Sequence, residues 1–251
     1  MPIIQALDRA LRMLDLFDEQ TPELKLTDIS ARMNLHKSTV HALLKTLQLH
    51  GYIEQDDQSG KYRLGLRFLE KGQLLLQNLD IRDVARPHLQ ALSDETGQTA
   101  HLIILDGREG VYIDKVEGAQ AAIRYSRIGR RVPLHSSAGG KVLAAFQPPE
   151  ALERILRHYS YARHTPNTIG SEEAFRRELE RVRREGCAFD REENEPGVCC
   201  VSAPVFGHDG QLAAALSLSF MTARVDGEEA RRLADRVKQT ARKLSSRLGH
   251  R

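Results

Sequence analysis

The chain of 251 residues has no apolar run long enough to cross a bilayer and no cleavable leader pattern at Met1-Pro2-Ile3-Ile4, so the expected compartment is the cytoplasm and no membrane partner is expected. Cysteine is scarce. Cys187, Cys199 and Cys200 form an odd set without metal-ligand spacing, which favours a reducing compartment over a disulfide framework. Charge of one sign is also lacking: 37 basic and 34 acidic residues leave a net +3. Binding to a polyanion must then rest on a focused basic element and on dimerisation, not on a broad field. No Gly-x-Ser-x-Gly nucleophile elbow occurs. The segment ending Gly139-Gly140-Lys141 fails as a phosphate loop, because His135 stands where its first glycine belongs and Val142 replaces the hydroxyl after the lysine.

What is present begins with a winged helix-turn-helix pattern over residues 26–64. Thr27 is placed to N-cap a short helix with Ile29 and Met33 on one face, and Asn34 suits the left-handed conformation of a tight turn. A second helix runs from Lys37 to about His50, with Val40, Leu43, Leu44 and Leu47 as a buried stripe and Gly51 as its stop. Its outward face then carries Ser38, Ala42 and Lys45, flanked by Thr39 and His41, with His36 and Lys37 at its start. Small polar residues there let a helix sink into the major groove of double-stranded DNA. Residues 52–55 and 61–64 read as a hairpin wing that brings Lys61 and Arg63 near phosphate.

Ahead of this unit, Ile4, Leu7, Leu11 and Leu14 form one apolar seam, and residues 66–78 read as a linker helix with more apolar surface than an isolated linker should expose. Both are expected to bury against a second copy. From residue 81 the pattern alternates: helices are expected over 81–96, 139–146, 150–159, 171–185 and 227–248, and strands over 99–106, 110–116, 121–126, 187–191, 201–206 and 212–220. Consecutive strands with interspersed helices argue for an α+β domain around a mostly antiparallel sheet. The expected organisation is mixed α/β in two domains: a mainly α winged helix-turn-helix at 1–65, a linker helix at 66–80 and the α+β domain at 81–251.

Several motifs carry a resemblance. Leu26-Thr27-Asp28-Ile29, residues 35–44 and Tyr62-Arg63-Leu64-Gly65 resemble the N-terminal domain of the IclR family of bacterial transcription regulators, while residues 129–141, 163–168, 197–206 and 213–220 resemble its effector domain in the same order. The resemblance implies a DNA-binding regulator and not an enzyme, with a pseudo-palindromic operator, a dimer or tetramer, a GAF-like effector domain and no cofactor. It implies an effector pocket lined from the loop holding Ser137, Ala138 and Gly139, from Asp190, from Cys200, and from Ser217 and Ser219. Ile123, Arg124 and Tyr125 lie on a strand the family places near the effector; Arg124 and Tyr125 point to opposite faces, and which one lines the pocket stays open.

The residues add their own reading. Small side chains before Lys141 expose N–H groups at a helix N-terminus, which favours a carboxylate. Ser217 and Ser219 share one strand face, with Leu216, Leu218 and Phe220 on the other. The expected effector is a small keto, hydroxy, sugar or aromatic acid, acting on a repressor or an activator of a catabolic or metabolic operon. Asp190 is awkward beside an anion unless it is protonated or accepts a hydrogen bond from an effector hydroxyl. Two other classes compete: a hydrolase using His135, Ser136 or Ser137, and Asp190, and a redox or metal sensor built on Cys199 and Cys200 with Cys187 and His101.

Overall fold

The computed structural model describes residues 3–18, 20–77, 80–119 and 126–250, and the chain divides into two units, Met1–Asn78 and Leu79–Arg251. In the first unit, helix α1 (Gln5–Leu14), α2 (Leu26–Met33) and α3 (Lys37–Leu49) close over a core of Met13, Phe17, Leu24, Ile29, Val40 and Leu44. Asn34 takes the left-handed conformation at φ 52°, and the Ser30 hydroxyl donates to the Leu35 carbonyl at 2.6 Å, which fixes the turn between α2 and α3. Gly51, at φ 73°, ends α3, and strands β1 (Ile53–Gln55) and β2 (Tyr62–Leu64) pair antiparallel as the wing. Helix α4 (Arg67–Gln77) follows.

Two details depart from expectation. Thr27 does not cap α2: the partly buried Leu26 packs on the core and draws the first turn back, so Lys25 holds the cap position without a side-chain bond. The Thr27 hydroxyl instead meets Asp28 at 3.3 Å. The α1 seam turns little of itself inward, since Met13 and part of Leu14 pack on the core while Ile4, Leu7 and Leu11 stay exposed.

The second unit is one antiparallel sheet in the order β5-β4-β3-β8-β7-β6. Its strands are β3 (Thr99–Asp106), β4 (Glu109–Val116), β5 (Arg131–Pro133), β6 (Ala188–Arg191), β7 (Val198–Phe206) and β8 (Leu212–Met221). Strand β5 is too short to leave a periodic signal. The candidate strand at 121–126 lies almost wholly outside the described residues. Alternation sends Ala100, Leu102, Val201, Ala203, Leu216, Leu218 and Phe220 under α5 (Asp80–Thr96) and α9 (Gly227–Arg247). Against the other face, α6 (Ala138–Ala145), α7 (Pro149–Leu156) and α8 (Glu172–Glu185) bury a second cluster around Ile103, Leu143, Phe175 and Ala215. That cluster covers only part of the face. The remainder is polar: Thr99, His101, Ser202, Ser217 and Ser219 are buried there.

Candidate DNA-binding face and effector cavity

On α3, Lys37, Ser38, His41, Ala42 and Lys45 are exposed, Thr39 is half-buried and His36 stands exposed at the cap. Among the described residues, Lys37, His41 and Lys45 make no ion pair. The wing differs: Lys61 lies 3.6 Å from Glu23 and Arg63 lies 3.2 Å from Glu54. Phosphate would have to draw these two cations from carboxylates, so the wing supplies less net charge than its composition promises. Thr27 is exposed in the first turn of α2.

In the second unit, the polar part of the sheet face opens into a cavity of about 30 Å³. Ser217 and Ser219 from β8 and Cys200 from β7 form its floor; Ser137, Ala138 and Gly139 enter from the start of α6, and Asp190 from β6. The structure thus brings together seven of the residues expected around an effector. Ile123, Arg124 and Tyr125 lie outside the described residues. The sequence reading missed the polar wall residues Tyr112, Ser126, Arg130, Asn194 and Glu195, and the apolar Ile103, Val132 and Val198. The polar run Glu193-Asn194-Glu195 just after Asp190 is the signal that pointed to Asn194 and Glu195.

Each wall has a local cause. Ser137 caps α6: its hydroxyl accepts the Gly140 N–H at 3.0 Å and donates to the Pro133 carbonyl at 2.6 Å. That leaves the N–H groups of Ala138 and Gly139 as open first-turn donors. The glycines themselves answer to packing. A Cβ on Gly139 would meet Ile103 at 2.2 Å, and one on Gly140 would meet the Pro133 carbonyl at 2.4 Å. Lys141 points away from the cavity wall and is buried, donating to both Glu193 carboxylate oxygens at 2.6 Å and to the Phe189 carbonyl at 2.7 Å. Its charge pins the 192–195 loop over the site.

Asp190 is almost wholly buried, and burial pushes its carboxyl up to about 7, against the pull of Lys141 and of two N–H groups, from Glu193 at 2.7 Å and Asn194 at 3.3 Å, that donate to one of its oxygens. The conflict between this residue and an anion is therefore eased, since a protonated Asp190 donates. Burial also raises Glu195 and the Cys200 thiol, and the thiol pairs with the Ser219 hydroxyl at 3.1 Å. The Ser217 hydroxyl makes no hydrogen bond among the described residues. Nearby, burial drops His101 to about 3; its Nε2 meets the Ser126 hydroxyl at 2.7 Å, while its Nδ1 and the Thr99 hydroxyl are buried without partners among the described residues.

The competing chemistries find no geometry. His135 is held by the Tyr159 hydroxyl at 3.1 Å and the Ala162 carbonyl at 3.0 Å, the Ser136 hydroxyl donates to Asn194 at 3.0 Å, and Asp190 bonds to backbone, so no nucleophile, base and acid form a chain. Adjacent cysteines on β7 face opposite ways: Cys199 meets Thr222 at 3.3 Å, Cys200 faces the cavity, and Cys187 lies in the core under α9. Among the described residues, no three His, Cys, Asp or Glu side chains are placed to hold a metal, and no helix is long and apolar enough to cross a membrane.

Residues 6–57 match the IclR helix-turn-helix domain and residues 73–246 the bacterial transcriptional regulator IclR C-terminal domain. The chain is 53% identical over 250 residues to the HTH-type transcriptional regulator XynR of Escherichia coli, covering 100% of this chain and 99% of that protein. It is 35% identical over 248 residues to the DNA-binding transcriptional repressor YiaJ of Escherichia coli, covering 98% and 88%. Among solved structures, an IclR homologue from Microbacterium hydrocarbonoxydans complexed with 4-hydroxybenzoate superimposes with a TM-score of 0.81 at 26% identity, covering 97% of this chain and 98% of that one.

Proposed function

The chain belongs to the IclR family and is a DNA-binding transcription regulator, not an enzyme, and from that premise we propose that it is a cytoplasmic repressor of a catabolic or metabolic operon whose operator affinity changes when a small hydroxylated organic acid enters the site at Ser217, Ser219 and Asp190, parting walls that now enclose only about 30 Å³. The observation that carries the ligand class is the pairing of open N–H donors at Ala138 and Gly139 with a buried carboxyl near pH 7 and unbonded Ser217 on the facing wall. The helix N-terminus receives the carboxylate. Asp190 and the serines receive hydroxyls. The homologue bound to 4-hydroxybenzoate, itself a hydroxylated acid, supports a ligand of this kind.

The acting species on DNA is a dimer. Ile3 and Ile4 just before α1, Leu7 and Leu11 on it, Leu66 just before α4 and Leu69 on it are more than half exposed, an apolar surface that a second copy would cover. Each dimer then offers two α3 helices to successive major grooves of a pseudo-palindromic site, with Thr27, His36, Lys37, Ser38, Thr39, His41, Ala42 and Lys45 at the DNA and the wing residues Lys61 and Arg63 beside it. Coupling of about 1–3 kcal/mol between acid and operator would alter DNA affinity roughly 5- to 150-fold.

The test is a gel-shift titration on the DNA upstream of the chain's own gene, repeated with hydroxylated acids and their deoxy analogues. Specific retardation altered by a hydroxylated acid, and less by its deoxy analogue, is the expected outcome. Retardation that no acid changes would end the effector reading while leaving the regulator intact.

A further inference from the structure

A second cavity, of about 450 Å³, lies in the C-terminal unit between the far end of β7 and the last turns of α9. Its apolar part is Pro204, Phe146 and Phe206, whose rings meet edge to face at 5.5 Å, with the His250 ring tilted over Phe206 at 5.1 Å. Its charged part is Arg183, Lys238 and Arg242. Among the described residues, no carboxylate lines it.

That imbalance is unusual for this molecule. The arginines of α8 and α9 are mostly matched with acids: Arg176 with Glu153 and Glu172, Arg181 with Glu178, Arg232 with Glu228, Arg236 with Glu95. The Arg242 guanidinium makes no hydrogen bond or ion pair among the described residues. Lys238 is ion-paired with Asp235 at 2.9 Å, one partner that does not line the cavity. Arg183 uses its Nε on the Ala145 carbonyl that ends α6, which caps that helix and leaves the rest of the guanidinium facing the cavity. Lys238 and Arg242 stand one turn apart on one face of α9, where like charges repel. An anion between them removes the repulsion.

We infer that this cavity is a second small-molecule site, for an organic anion with a flat apolar ring and one carboxylate or phosphate group. The ring packs on Phe206 and Pro204, and the anion meets Arg242 and Lys238. A volume of about 450 Å³ is in the range of ligand pockets and suits a ligand of one or two rings. The site is separate from the cavity at Asp190 and shares no lining residue with it. The inference does not rest on the effector proposed above.

The test uses the full-length protein and calorimetric titration with 2-naphthoate and with phenyl phosphate, alongside the neutral 2-naphthol. Both anions are expected to bind, 2-naphthol at least tenfold more weakly than 2-naphthoate. Arg242→Glu, an exposed change on a helix that leaves the fold intact by melting, should weaken anion binding tenfold or more while operator affinity without the probe is unchanged. Phe206→Ala should weaken 2-naphthoate more than phenyl phosphate. Equal binding of the anions by Arg242→Glu, or of 2-naphthol by the native chain, would overturn the assignment. So would failure of both anions to bind together with a shift in oligomer size in Arg242→Glu, which would make this face a subunit contact.

Discussion

The α3 face and the cavity at Asp190 solve recognition in opposite ways. The first leaves Lys37 and Lys45 in water without ion pairs among the described residues; the second takes a carboxyl, a thiol and several hydroxyls out of water. Charges in water remain charged and act through a field that salt screens. Groups out of water act through hydrogen bonds whose donor and acceptor roles depend on protonation. One surface should therefore answer to ionic strength and the other to pH.

The largest expected effect breaks the comparison from the DNA side. If two α3 helices and their flanks neutralise about six phosphates, raising salt from about 50 to 200 mM should lower operator affinity roughly a thousandfold. Affinity of the cavity for a hydroxylated acid should change far less over the same range. Parallel gel-shift and calorimetric titrations decide it, and equal slopes would mean that the acid is held by exposed charge instead.

Next in size is the response of Asp190. Its folded carboxyl holds a proton more tightly than the unfolded one, with a value of about 7 against the ordinary 3.8. Between those values the native state carries a proton that the unfolded chain has lost, so stability declines as pH rises through that window, and the whole cost, on the order of 4 kcal/mol, is present above it. Asp190→Asn removes the cost. Denaturation of both proteins should nearly coincide near pH 4 and separate by a few kcal/mol at pH 8, with the variant the more stable. The groups around Asp190 are Lys141, which lowers its value, and Glu193, which raises it. Acid binding by the native chain should also weaken above pH 7, up to tenfold per unit, because an anionic ligand must then meet an ionised Asp190.

A smaller effect separates the two serines. The Ser217 hydroxyl has no partner among the described residues while that of Ser219 is engaged with Cys200, so Ser217→Ala should leave stability within about 1 kcal/mol and lower affinity for a hydroxylated acid about five- to tenfold. An unchanged titration would place the ligand hydroxyl elsewhere in the cavity.

Legibility in the sequence followed the same division. The helix-turn-helix was readable because its stripe, its Asn34 turn and its Gly51 stop are all local, and local signals survive without tertiary knowledge. The alternation of β8 likewise placed Ser217 and Ser219 on one face. What the sequence concealed needed long-range contact. Tyr112 and Arg130 reach the cavity from β4 and from the segment before β5, which no spacing relates. Thr27 lost its capping role because burial of Leu26 outweighed a cap preference. The second cavity went unseen because its cations come from α8 and α9 and gain meaning only where those helices converge.

The smallest expected effect sharpens the comparison within the DNA-binding unit itself. Lys45 has no ion pair among the described residues and Lys61 sits beside Glu23, yet composition alone counts them equally. Taking a phosphate, Lys61 must give up a carboxylate, and an exposed pair of this kind is worth about 0.2–1 kcal/mol. Lys45→Ala should therefore weaken operator binding and flatten the salt slope by about one unit, leaving acid affinity intact, whereas Lys61→Ala should produce a fraction of that loss. Glu23→Gln should move the other way, freeing Lys61 and strengthening operator binding slightly at low salt. Equal losses from the two lysines would show that the wing pair opens on DNA at negligible cost, and the wing would then join α3 as a full electrostatic partner.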